Sequence, residues 1–181
     1  MSERKDYLTF FWRISSIHVI AFFVAGIAAS LLLDYEEQLA TGILSTIMKP
    51  MNSPCMAIGP TLEIFRGFII AFVLYPFKDV FVSSKNGWLK LWFLIIGLSY
   101  LSTIGPAFGS FDGYLYTTVD LKYHLMGIPE MLLYTFLFSF FVCFWYKKPR
   151  KAWTIISIAA VVLIMIMGVL GVLSSLGILK N

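Results

Sequence analysis

Charge is what this chain has least of. Of its 181 residues only 13% are Asp, Glu, Lys or Arg, about half the share of an ordinary soluble domain, while 59% are hydrophobic and 17% aromatic. That balance excludes a water-soluble globule. It also excludes a disordered chain, which needs low hydrophobicity and high net charge. Thirteen glycines and seven prolines are too few for a fibre. Two cysteines, Cys55 and Cys143, make neither a disulfide framework nor a metal site by themselves. Catalytic signatures are missing as well: there is no HExxH, no phosphate-binding glycine loop with Lys, no GxSxG elbow and no aspartyl-protease-like pair of Asp in adjacent spans. Their absence argues against an enzyme, though one using Glu, His and Arg on a lipid keeps its place. No cofactor or metal is expected.

What is present is a set of long apolar runs. At about 20 residues per crossing the length holds at most about six membrane helices. Five runs are long enough, at 10–33, 56–77, 88–108, 123–146 and 153–178. They are continuously apolar, whereas a barrel strand alternates over about ten residues. The predicted fold is therefore all-α, a single domain over 1–181 built as an integral membrane bundle of five transmembrane helices. Leu39, Ile43, Leu44, Ile47 and Met48 recur at helical spacing, with Pro50 and Pro54 beyond them. They predict a short amphipathic helix on the outer interface. The other outer connection, 105–122, mixes glycines with Phe111, Tyr114 and Tyr116, and reads as an interfacial loop or a cap.

Lys and Arg flanking the spans set the orientation. Arg4, Lys5, Arg13, Lys78, Lys85, Lys90, Lys147, Lys148, Arg150 and Lys151 fall on one side; Lys49, Lys122 and Lys180 fall on the other, with Asp34, Glu36 and Glu37. The expectation is a cell (inner) membrane protein with its amino terminus cytoplasmic and its carboxyl terminus outside. The first run is of full span length with no small-residue cleavage pattern before Asp34, so it reads as a retained anchor. The formal net charge of +4 belongs to these anchors, so no nucleic-acid partner is expected; the Lys147 to Lys151 cluster suits anionic lipid. On this topology Cys55 and Cys143 lie on opposite sides, out of disulfide range.

Small residues mark where helices meet, because lipid gives no hydrophobic drive between them. Ala21, Ala25 and Ala29 form one such face, and Gly168, Gly171 and Ser175 another. These faces serve packing within the bundle or a homo-oligomer or partner membrane subunit equally well. No internal repeat is visible.

Three charges remain inside spans: Glu63, Arg66 and Glu130. Each would cost roughly 2.5–3.5 kcal/mol at the bilayer centre, so each requires a partner or a purpose. Glu63, Arg66 and Gly67 share a helix face, as do Gly127, Glu130 and Tyr134, with His124 at its edge. Counting about 1.5 Å per residue puts Arg66 and Glu130 at similar depth, so an Arg66 to Glu130 bridge is expected, with Glu63 as second carboxylate. Pro129 predicts a kink freeing the Leu125 carbonyl. The candidate ligand site is Glu63, Arg66, Gly67, His124, Glu130 and Tyr134. His18 shares the Ala21 and Ala25 side of the first span and points into the bundle as a core histidine.

Residues 59–67 (GPTLEIFRG), then Tyr75 to Phe77 (YPF) and His124 to Glu130 (HLMGIPE), resemble a group of small bacterial multi-pass membrane proteins. The resemblance spans the second to fourth runs. It implies the helical membrane fold and carries no activity. Three functions fit these residues: an outward-facing pocket that binds or conducts a small ion or polar solute, a lipid-headgroup enzyme with Glu130 or His124 as acid or base, and a non-catalytic assembly subunit.

Overall fold

The computed structural model describes residues 2–33, 35–41 and 43–179. Asp34 and Lys180, two of the charges used for orientation, lie outside them, as does the side chain of Arg4. The described residues are helical with no strand. The elements are α1 (Ser2–Leu32), α2 (Tyr35–Thr41), α3 (Pro54–Leu74), α4 (Lys78–Val82), α5 (Gly87–Ile95), α6 (Phe111–Tyr116), α7 (Leu121–Met126), α8 (Ile128–Lys147) and α9 (Lys151–Ser175).

Four segments are long and apolar enough to cross a membrane: Lys5–Leu32, Pro54–Val82, Leu121–Lys147 and Lys151–Ser175. The third predicted span is shorter than expected. Helix α5 passes into a π turn over Ile96–Leu101 and stops there, instead of running to Phe108. Its stop is local chemistry: Gly105 adopts φ +103°, which favours glycine, and Pro106 brings no backbone donor. Residues of the predicted interfacial helix fall in two described elements. α2 ends at Thr41, and Ile43–Thr46 forms a single 3₁₀ turn with Leu39 and Leu44 buried and Ile47 and Met48 exposed.

The distribution of side chains is inverted relative to a water-soluble bundle. Ser15, Ser16, His18, Thr135, Ser139 and Ser157 are buried, whereas Phe65, Ile69 and Phe72 of α3 and Ile155, Leu163 and Ile166 of α9 face outward. A contiguous apolar exterior of this extent needs an apolar surrounding.

Helix α1 is the centre of the packing and touches α3, α8 and α9; α3 also packs on α9, and α5 on α8. The main core joins Phe10, Ile14 and Ile17 of α1 to Ala71 and Leu74 of α3, Leu91 of α5, and Phe138 and Val142 of α8. The alanine face is buried as the spacing predicts. The second small-residue face meets α3: a Cβ on Gly171 would come 3.0 Å from that of Ala57, and one on Gly168 would collide with the Thr61 hydroxyl. α3 starts cleanly because the Ser53 hydroxyl accepts the Met56 N–H at 3.2 Å, while Pro54 occupies the first turn, where no donor is needed.

The fourth span is where sequence and structure differ most for function. Rather than one kinked helix, the chain breaks at Gly127 between α7 and α8. Pro129 therefore sits in the first turn of α8, where its missing N–H leaves nothing unsatisfied. Glu130 becomes a first-turn acid, facing the positive end of the helix dipole.

Candidate functional site

The site begins with a close helix contact. A Cβ on Gly67 of α3 would stand 2.7 Å from Ser15 Cα of α1, so only glycine lets the two backbones approach this closely. The helices run in opposite directions along this contact. Three residues onward on α1 is His18, and four residues back on α3 is Glu63. They meet, with His18 Nε2 2.8 Å from Glu63 Oε2.

His18 is wholly buried and its other ring nitrogen, Nδ1, lies 2.7 Å from the Tyr134 hydroxyl of α8. A carboxylate only accepts, so with Glu63 ionised the neutral ring carries its proton on Nε2 and Nδ1 accepts from Tyr134. One imidazole thus links three helices. Phe22 and Phe138 stand edge-on or tilted around the ring and keep it dry.

Arg66 Nη1 is 3.5 Å from Glu63 Oε2, one turn along the same helix, and its side chain is 59% exposed. A pair that open contributes little to stability. Glu130 accepts a hydrogen bond from the Tyr35 hydroxyl of α2. Burial, and then the Glu130 carboxylate itself, hold the Tyr35 phenol well above its ordinary range, so it stays a donor.

Arg66 and Glu130 line one cavity of about 280 Å³ together with Tyr134, Tyr100, Ser99 and Thr135 on its polar side and Phe22, Ala25 and Ile95 on its apolar side. The expected Arg66 to Glu130 bridge is not made: among the described residues neither has the other within ion-pair distance. Each already has a nearer partner, Glu63 for Arg66 and Tyr35 for Glu130. The cavity therefore presents a guanidinium and a carboxylate that do not neutralise each other directly.

Three predicted site residues lie elsewhere: Glu63 is bound to His18 and is not among the residues lining the cavity. Gly67 faces Ser15 and does not line the cavity; its part is the helix approach. His124 is buried in α7, where Nδ1 accepts the Gly109 N–H at 3.1 Å and the ring stands edge-on to Phe108 and Tyr114. His124 lies across the break at Gly127 from Glu130 and is not among the residues lining the cavity. His124 organises the loop before α7, with Gly109 at φ +79°.

Residues that sequence reasoning missed are Tyr35 and Tyr100. No spacing marked Tyr35, which follows a loop and belongs to a short helix. For His18 the spacing to Ala21 and Ala25 gave burial, but nothing gave its partners. Among the described residues no three His, Cys, Asp or Glu side chains gather as a metal site would require. What the arrangement can do is hold a charged or polar ligand between Arg66 and Glu130, backed by the hydrogen-bonded chain Tyr134, His18, Glu63.

Fold and site together define an all-helical protein with, among the described residues, four helices long and apolar enough to cross a membrane and a cavity lined by both polar and apolar side chains. No family model matches it, and no curated protein and no solved structure gives a match.

Proposed function

We propose that this chain is a multi-pass membrane protein with five crossings, the fifth being the shorter α5 segment, whose cavity binds a small ion or polar solute. The observation that carries the reading is the unbridged pair: Arg66 and Glu130 line one cavity, and each has a different partner, Glu63 for Arg66 and Tyr35 for Glu130. Charges placed in apolar surroundings mark a functional site by default. A ligand that meets both side chains replaces the pairing they lack.

The test is thermal unfolding of the detergent-solubilised protein against a panel of inorganic ions, amino acids and other small polar solutes. One class should raise the transition of the native chain, by an amount equivalent to about 2.7 kcal/mol at a hundred times its Kd. The same class should leave Glu130→Gln and Arg66→Gln unmoved. If no solute shifts the native protein and liposomes show no flux under ion or pH gradients, the solute reading is lost.

Helix pinning is a second reading for part of the cluster, favoured by the complete burial of His18 and its bonds to two other helices. The two readings divide the cluster: His18 and Glu63 behind, Arg66 and Glu130 in front. A non-catalytic assembly subunit would use only the first half.

Orientation follows the Lys and Arg count, with the amino terminus inside and the carboxyl terminus outside at the cell membrane. Cys55 is exposed near the start of α3 and Cys143 is buried in α8. In intact cells a membrane-impermeant maleimide should therefore label Cys55 alone, and Cys55→Ser should abolish labelling. Labelling of Cys55 only after the membrane is opened would invert the topology.

A further inference from the structure

A second cavity, of about 330 Å³, lies apart from the polar one in a groove between α1, α8 and α9. Its wall follows α1 from Val24 through Ala21 to Ile17, and is completed by Phe144 and Trp145 of α8 and Trp153 of α9. Ser157 is the one hydroxyl on this wall, and it is occupied: it accepts the Trp12 indole N–H at 3.1 Å and donates to the Thr154 carbonyl at 2.9 Å. The length of the groove is thus purely apolar.

One end differs. One turn beyond Ile17, the Arg13 guanidinium lies between the Tyr146 and Trp145 rings, 4.6 Å and 5.3 Å from their centres, and Lys148 lies 5.5 Å from the centre of Phe144. Arg150 and Lys151 precede Trp153 on the same connection. Among the described residues no carboxylate pairs with any of these four cations. A narrow apolar track ending in uncompensated positive charge matches an amphiphile with an anionic head. A partner helix fits less well, because a helix is about 10–12 Å across and close association calls for small residues, whereas this wall is lined with large aromatic rings.

We propose that the groove binds one anionic phospholipid, with an acyl chain along α1 between Val24 and Ile17 and its phosphate against Arg13 and Lys148. The inference rests on the membrane reading and not on the solute assigned to the polar cavity. Guanidinium and ammonium donors bind phosphate oxygens by charge-assisted hydrogen bonds, and basic clusters beside membrane helices attract anionic lipid.

Native mass spectrometry of the purified protein, supplied with phosphatidylglycerol or with phosphatidylcholine of the same chains, tests this. One phosphatidylglycerol should stay bound per chain and phosphatidylcholine should not. Lys148→Gln should weaken retention about fivefold, and Arg13→Gln with Lys148→Gln about thirtyfold, at about 1 kcal/mol per charge. Val24→Trp, which fills the track from an exposed position, should remove the lipid while all four charges remain. Equal retention of the two lipids, or phosphatidylglycerol retention unchanged in both Lys148→Gln and Val24→Trp, would overturn the site. A chain that stays monodisperse without detergent would instead overturn the membrane reading beneath it.

Discussion

His18→Leu will destabilise the detergent-solubilised protein by about 2–4 kcal/mol, because two hydrogen-bonded partners lose the ring between them at about 1–3 kcal/mol each. Leucine fills most of the ring's volume, so the loss is not a cavity effect. It takes from the Glu63 carboxylate its bond to His18, leaving the more distant and exposed Arg66 as partner, and takes from the Tyr134 hydroxyl the acceptor that His18 provides. Glu63→Gln should be milder, about 1 kcal/mol, because the amide oxygen still accepts from Nε2 and no charge is stranded. Combining His18→Leu with Glu63→Leu should recover part of the loss, since the carboxylate that lost its imidazole partner is then gone too. Thermal unfolding of the four proteins measures the coupling directly. A His18→Leu variant within about 0.5 kcal/mol of the native chain, the noise expected of a neutral surface change, would mean that the imidazole does not join the three helices.

That experiment also separates the two halves of the polar cluster. Solute response should survive Glu63→Gln, which keeps the His18 bridge, and should vanish in Glu130→Gln, which removes the cavity's carboxylate without loosening the core. Tyr134 belongs to both halves: its ring lines the cavity and its hydroxyl holds His18. Tyr134→Phe is accordingly the change whose stability and solute effects should move together.

Much of the architecture was legible because apolar run length and small-residue spacing survive folding unchanged. The Ala21, Ala25, Ala29 face and the Gly168, Gly171 face are buried or in close contact as their spacing requires. Partner choice was not legible. A periodicity argument assigns a face to each residue but not the neighbour it meets, and His124, across the break at Gly127 from Glu130, accepts from the Gly109 N–H instead. The depth count behind the Arg66 to Glu130 bridge started at Tyr123, on the far side of that break. It also ignored local competition: Glu63 is one turn from Arg66 on the same helix, and Tyr35 arrives from α2, a short element with no periodic signal of its own. His18 was found to point inward, yet the axial offset that brings it to Glu63 comes from the Gly67 contact with Ser15, a three-dimensional fact with no trace in either helix alone.

Gly67→Ala should therefore act well beyond its one added carbon. The new Cβ would lie 2.7 Å from Ser15 Cα, 3.0 Å from its Cβ and 3.1 Å from its carbonyl oxygen, and the backbone atoms among these cannot rotate away. Relief requires α1 and α3 to separate, at a cost of about 1–3 kcal/mol for overpacking. Gly26→Ala and Gly59→Ala provide the contrast, since nothing lies within 4 Å of a Cβ built at either position; in helices these changes should be neutral or gain up to about 1 kcal/mol. The separation has a further consequence, because Glu63 is one turn from Gly67 and its bond to His18 depends on the same approach. Gly67→Ala and His18→Leu should then be less than additive, the first having already weakened what the second removes. Simple additivity in thermal unfolding would show that the Ser15 contact and the His18 bridge are energetically separate, and that the cluster owes its geometry to α8 rather than to the glycine.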